Sequence, residues 1–214
     1  MTEPDFLRST RDGYDVTAAS YAERFHGHLD DRPFDVAMLD SFAALVGPGA
    51  TIADIGCGTG ATSRIFADRG LDVIGIDLSA NMIRQARRLN PQLNFRIGSM
   101  THLDFGDGAL DGICAWYSTI HIPDEQLPQV FSEFRRVLRT DGWAMLAFQV
   151  GERPRVFKEM FGEQVALTFY RRQPDAVAHL LEEAGLEPYS GTVRAANDDG
   201  FESTPQAYLI ARKL

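Results

Sequence analysis

Residues 54–60 read DIGCGTG, preceded by ATIA at 50–53 and followed by ATSRIFADRG at 61–70. Glycine stands at 56, 58 and 60, directly behind a carboxylate. Three glycines in five residues describe a backbone that something must approach closely, because a glycine adds no Cβ and tolerates positive φ. The stretch before them, TIADI at 51–55, is a short apolar strand, and ATSRIFADR at 61–69 is a helix with Ile65 and Phe66 inward, stopped by Gly70.

Working outward, the same alternation continues. LDVIGID (71–77) is a β-branched strand ending in Asp77, followed by SANMIRQARRL (79–89), with Ser79 as N-cap and Met82, Ile83, Ala86 and Leu89 on one face. LNFRIG (93–98) and DGICAWY (111–117) are strands, and QLPQVFSEFRRVLR is a helix with Leu127, Val130, Phe131, Phe134, Val137 and Leu138 as its apolar stripe. Asp141-Gly142 forms a turn into the strand WAMLAFQV (143–150). Strands separated by helices of this length predict a mostly parallel sheet covered on both faces, with right-handed crossovers.

The flanks depart from this rhythm. Residues 1–48 are helical, through GYDVTAASYAERF and PFDVAMLDSFAALV, ahead of the core at 49–150. Within 173–214, PDAVAHLLEEAGL is a helix, and the segments around PYSGTVRA and QAYLIARKL form an antiparallel pair, joined through NDDGFESTP, that closes one sheet edge. The segment 151–172, GERPRVFKEMFGEQVALTFYRR, fits neither pattern and is expected as an insertion over the carboxyl end of the sheet, with a packed helix as the plainer alternative. The whole chain is expected to be a single domain.

The 214 residues carry 21 Lys and Arg against 30 Asp and Glu, a formal charge of −9, which disfavours nucleic-acid partners. Cys57 and Cys114 are the only two cysteines, without metal-ligand or disulfide spacing. MTEPDFLRST shows no signal-peptide pattern, and no apolar run reaches the roughly 18 residues of a membrane span, so a cytoplasmic protein with no membrane partner is expected.

A strand, a glycine-rich turn and a helix N-terminus place ligands at the carboxyl edge of a sheet, and Asp77, at the end of the next strand, suits both hydroxyls of a ribose. Gly56, Gly58 and Ala61 satisfy the loose dinucleotide pattern G-x-G-x-x-[GA]. Asp54 discriminates: its carboxylate would repel a pyrophosphate but stabilise an ammonium, directly or through water. S-adenosylmethionine joins an adenosine to a zwitterionic amino acid through a sulfonium.

Residues 52–60 resemble the first motif of the class I S-adenosylmethionine-dependent methyltransferases, and the resemblance runs on through VIGIDLSANMI (73–83), GSM (98–100), DGICAWYSTIHIP (111–123) and LRTDGWAMLAF (138–148). It implies a Rossmann-like three-layer αβα fold, a mostly parallel doubly wound sheet with an antiparallel C-terminal edge hairpin, and a helical N-terminal lid. It further implies a transfer of the cofactor's methyl group to an O, N, S or C nucleophile of a small molecule, leaving S-adenosylhomocysteine.

The residues implied at the cofactor are Gly56, Cys57, Gly58 and Gly60 at its methionine end, Asp54 at the ammonium and Asp77 at the ribose. Leu78, Met82, Ser99 and Met100 lie on the adenine side, Trp116 by the sulfonium, and Tyr14 and Tyr21 at the carboxylate. Ser99 departs from the acidic residue usual in the family, and Met82 reads equally well as core. His121 is the candidate base, with a structural histidine as the alternative. Phe157, Met160, Phe161, Phe169 and Tyr170 suit the roof of an acceptor pocket, and Arg153, Arg155, Arg171 and Arg172 suit an acidic acceptor group or a solvated face. No metal site is expected. Competing functions are a nicotinamide-dependent oxidoreductase, from G-x-G-x-x-A, and a non-catalytic cofactor-binding relative; a protein or peptide acceptor is a further option.

Overall fold

The computed structural model describes residues 3–198, 200 and 202–214. Its core is a seven-stranded sheet ordered β3-β2-β1-β4-β5-β9-β8. The strands are β1 (Thr51–Ile55), β2 (Asp72–Asp77), β3 (Asn94–Ile97), β4 (Leu110–Trp116), β5 (Leu138–Gln149), β8 (Leu186–Arg194) and β9 (Gln206–Lys213). β1 to β5 pair in parallel, whereas β9 runs antiparallel to both β5 and β8. The expected edge hairpin is present; positions 199 and 201 of its connection, like residues 1 and 2 of the N-terminal stretch, lie outside the described residues.

Two layers of helices cover the sheet. On one face, α5 (Leu127–Val137) and α6 (Pro174–Glu183) bury Val130, Phe131, Phe134, Val177 and Leu181 against Ala53, Ile113, Leu146 and Leu209. On the other, α2 (Pro33–Val46) and α3 (Ala61–Asp68) set Leu39, Phe42, Ile65 and Phe66 on Ile52, Cys114, Met145 and Ile210. Alternate residues of β1 and β4 thus feed opposite cores, as the two-residue period of a strand buried on both faces demands. Ser79 caps α4 (Ala80–Leu89), its hydroxyl accepting the Met82 N–H at 3.0 Å.

The N-terminal helix α1 spans Asp5–Phe25, inside the stretch expected to be helical. Gly13 sits inside it because a Cβ there would lie 2.9 Å from Leu167, so the missing side chain lets the helix pack onto a neighbouring strand. Asp141-Gly142 is a bulge within β5 and not a turn ahead of it. The strand already pairs Leu138 with Leu110, and the register then shifts to Trp143 opposite Gly112, with Asp141 at φ 64°.

The segment 151–172 holds no helix. It forms a second, two-stranded sheet, β6 (Arg155–Met160) against β7 (Glu163–Phe169). Phe161 and Gly162 make the connecting turn with φ of 56° and 84°, the double positive φ of a primed hairpin turn. β7 packs on α1, and together they lie over the carboxyl ends of the parallel strands, as the cavity below shows.

Candidate functional site

The carboxyl ends of β1, β2, β3, β4 and β5, with α1 and the β6–β7 hairpin, enclose a cavity of about 570 Å³. That volume is within the range of small-molecule sites, roughly 300–1,000 Å³.

The glycine bend forms its floor, and the three glycines serve different ends. A Cβ on Gly56, at φ 74°, would meet the Ser118 Cβ at 2.3 Å, and one on Gly60, at φ 80°, would meet the Phe95 ring at 2.7 Å. Gly58, at φ 53°, has only the Tyr21 ring within 4 Å, at 3.9 Å. Gly56 and Gly60 therefore let neighbouring elements close on the bend, while Gly58 leaves a bare backbone facing the cavity. Gly60 does not line the cavity; it is the left-handed N-cap of α3.

Asp77 stands beside this cradle. Its Oδ2 accepts the Gly58 N–H at 2.9 Å and its Oδ1 accepts the Ser79 N–H at 2.9 Å. Each carboxylate oxygen retains a lone pair, so the group can still accept from a ligand. Burial pushes its pKa up to about 6, against the opposing pull of the Ser79 and Gly58 N–H groups. Asp54 is placed differently from its expected role. Strand alternation turns it away from the cavity, where it is 1% exposed and its Oδ2 accepts from the Ser63 hydroxyl at 2.6 Å. Burial raises it to about 7, with the Asp77 charge adding to the effect. In this structure Asp54 does not border the cavity and ties β1 to α3.

The remaining expected residues converge. Tyr14, Tyr21, Cys57, Leu78, Met82, Ser99, Met100, Trp116 and His121 all border the cavity. Met82 is 1% exposed and serves as core and cavity wall at once. Ser99 directs its hydroxyl to Thr101 Oγ1 at 2.8 Å. Tyr14 and Tyr21 stack edge to face with centroids 6.0 Å apart, and the Tyr14 hydroxyl meets His121 Nε2 at 2.8 Å. Burial depresses the His121 imidazole to about 4; the Thr168 backbone opposes this and Arg172 reinforces it. The ring is thus neutral near pH 7, paired with the Tyr14 hydroxyl and a weak base.

From the hairpin, Phe157, Met160, Phe161 and Phe169 line the cavity, whereas Tyr170 does not. The arginines separate. Arg172 is buried and tied down by Asp124 and by the carbonyls of Thr119 and Ile122, so it fixes the segment after β4 and offers nothing to a ligand. Arg171 bonds Ser203, and Arg155 alone of the four borders the cavity.

A polar cluster in the cavity lining has no counterpart in the local sequence patterns. Asp35 of α2, Arg194 of β8 and Glu202 border the cavity with Tyr117. Arg194 and Asp35 are 159 positions apart, so no motif spacing announces their pairing. Tyr117 is held at φ 51°, unusual for a residue with a Cβ, and its hydroxyl contacts Tyr208 at 3.2 Å. Among the described residues no group of His, Cys, Asp and Glu is arranged to hold a metal ion.

Residues 52–142 match the model of a family described as methyltransferase domain. Over 119 residues the chain is 34% identical to a demethylmenaquinone methyltransferase of Beutenbergia cavernae, covering 55% of this chain and 47% of that protein. The fold superimposes on the magnesium protoporphyrin IX methyltransferase of Synechocystis, solved with bound S-adenosylmethionine. That match has a TM-score of 0.74 at 19% identity and covers 100% of both chains. Over residues 52–142 the chain is similar to the methyltransferase domain family, and its fold is that of a methyltransferase of known structure. An uncharacterized methyltransferase of Mycobacterium is 29% identical over 185 residues, covering 84% of this chain and 71% of that protein. The chain spans about half the length or less of the demethylmenaquinone methyltransferases it matches. Among these methyltransferase relatives nothing supports the nicotinamide-dependent alternative. The sheet is a parallel core with an antiparallel edge, and no helix among the described residues is long and apolar enough to cross a membrane.

Proposed function

We propose that the protein is a methyltransferase that uses S-adenosylmethionine and acts on a small-molecule acceptor. The observation that carries this reading is the pairing of the bare Gly58 backbone with the Asp77 carboxylate at one cavity wall, a cradle that a single Cβ would fill. The relatives' names point the same way, since they are methyltransferases of quinone-type and sterol molecules.

Gly56, Cys57, Gly58 and Tyr21 would hold the methionine end of the cofactor, Asp77 the ribose hydroxyls, and Leu78, Met82, Ser99 and Met100 the adenine side. When bound, S-adenosylmethionine supplies a methyl group already activated by its sulfonium, which an acceptor nucleophile takes by in-line displacement. The protein's task is then alignment and exclusion of water. Trp116 would border the reacting centre, where an aromatic face stabilises positive charge. Tyr14, held by His121, would point its oxygen at the same region; His121 acts by orienting Tyr14. Residues 1–48 and the hairpin in 151–172 would serve as the lid over a single methyltransferase domain. Asp15 fastens that lid: its Oδ1 accepts from the Ser79 hydroxyl at 2.5 Å and the Asn81 N–H at 3.0 Å. The two buried free cysteines support a cytoplasmic setting.

Methyl-labelled cofactor incubated with purified protein and cell extract tests the reading. Label is expected in organic extract. Label confined to macromolecule would move the acceptor to protein, and absence of S-adenosylhomocysteine binding by calorimetry would overturn the assignment.

A further inference from the structure

One part of the cavity lining has an unusual electrostatic construction, centred on Arg194. A guanidinium has five N–H groups, and each of these has a protein partner. Nε donates to the Tyr208 hydroxyl at 2.9 Å. Nη1 donates to the Ala195 carbonyl at 3.0 Å and to Glu202 Oε2 at 2.6 Å. Nη2 donates to Glu202 Oε1 at 2.6 Å and to Asp35, whose two oxygens lie at 3.3 and 3.2 Å.

The tyrosines complete the pattern. Tyr208 gives its proton to Asp35 and accepts from Arg194, and Tyr117 donates to Tyr208. The shifts agree with that direction: burial raises both phenols, and the Tyr117 bond opposes the rise on Tyr208 alone. All these donors are spent inside the protein. The cation that an anionic ligand would seek has nothing left to give, while Asp35 and Glu202, its two carboxylate partners, border the same space.

The other cations bordering the cavity are of a different kind. Arg24 and Arg155 are exposed, and each lies over a hairpin phenyl ring, Phe161 at 5.4 Å and Phe157 at 4.5 Å. Solvent and salt screen such groups strongly, so they compensate a buried anion poorly. The cavity walls also carry the aromatic rings of Trp116, Tyr117, Phe157 and Phe169.

We infer that this part of the cavity selects a flat aromatic or heteroaromatic methyl acceptor that carries an O–H or N–H donor and no negative charge. Carboxylate- and phosphate-bearing analogues are rejected because Arg194 is saturated by Glu202, Asp35, Ala195 and Tyr208. The inference rests on the methyltransferase reading of the same cavity, and it assigns Glu202 and Asp35 as specificity residues acting through Arg194.

The test uses the full chain saturated with S-adenosylhomocysteine and a matched pair of probes, 4-hydroxyquinoline and its 2-carboxylate, kynurenic acid. Calorimetry is expected to show the neutral probe binding at least tenfold more tightly. Glu202→Gln leaves one guanidinium N–H without its partner and adds one unit of positive charge, so that ratio is expected to fall at least fivefold. Equal or tighter binding of kynurenic acid to the unaltered protein overturns the inference, and so does binding of neither probe. An unchanged ratio in a Glu202→Gln protein with native circular dichroism also overturns it. If that variant fails to fold, the wild-type ratio alone decides. Failure of S-adenosylhomocysteine itself to bind is read separately, and refutes the methyltransferase assignment.

Discussion

Replacing Asp77 by Ala removes the carboxylate bonded to the Gly58 backbone at the glycine cradle. Its effect separates into two parts. In the free protein, the Gly58 and Ser79 N–H groups, each bonded at 2.9 Å, lose their acceptor. Gly58 borders the cavity, where water can replace the carboxylate, whereas Ser79 is buried, so the stability cost is about 1–3 kcal/mol. In the complex, two ribose hydroxyls lose a charged acceptor, and hydrogen bonds to charged groups are worth about 1.5–3 kcal/mol each. Even one such bond, at about 1.4 kcal/mol per decade, gives at least a tenfold loss of affinity, and two give a hundredfold or more. Titration calorimetry with S-adenosylhomocysteine reads this directly. The same calorimetry should show pH dependence in the unaltered protein. Asp77 in the free protein has its pKa raised to about 6, and hydroxyl donors favour the ionised form, so affinity should weaken as pH falls below about 6. Affinity within threefold of wild type for Asp77→Ala, or a flat profile between pH 5 and 7, would refute the placement of the ribose on Asp77.

Other consequences are open to measurement. Asp54 has a folded pKa raised to about 7 from 3.8, so the protonated native form adds stability at low pH that is lost as pH rises through this window. Asp54→Asn should therefore improve relative to wild type, in denaturant midpoint, on going from pH 5 to pH 8; the reverse trend would show the carboxylate to be charged and paired. His121, depressed to about 4 from 6.5, should show no NMR titration above pH 5. An imidazole titrating at 6–7 would restore it as a base. His121→Ala should lower turnover several-fold and leave S-adenosylhomocysteine affinity within threefold; full turnover would make the Tyr14 contact at 2.8 Å purely structural. Gly56→Ala drives a Cβ to 2.3 Å from Ser118 Cβ at positive φ, a cost of about 2–4 kcal/mol and a Tm drop on the order of 10 °C; an unchanged Tm would mean the bend is softer than its packing implies.

The parts of this molecule legible in its sequence are those whose signals are contiguous. DIGCGTG and the Asp77 that closes the next strand lie within 24 residues, and strand and helix periodicity fixes which residues share the carboxyl edge. The motif misled where it was read as contact alone. Asp54 and Gly60 carry the pattern but serve the joint between β1, α3 and β3, through Ser63 and Phe95. The hairpin over the cavity was hidden because its turn is Phe161-Gly162 in place of the Asn-Gly or Asp-Gly that announces a primed turn, and because charged residues interrupt its alternation. The Asp35–Arg194–Tyr208–Glu202 cluster was hidden for a different reason. Its members come from α2, β8, β9 and the connection between them, and only the closing of the sheet edge by β9 brings them together.

The most direct test of the central assignment is a co-crystal structure with S-adenosylhomocysteine. Density is expected in the cavity, with both ribose hydroxyls on the Asp77 carboxylate and the amino-acid end over the Gly58 backbone. An empty cavity under saturating ligand, or a ligand bound with its ribose away from Asp77, would contradict it.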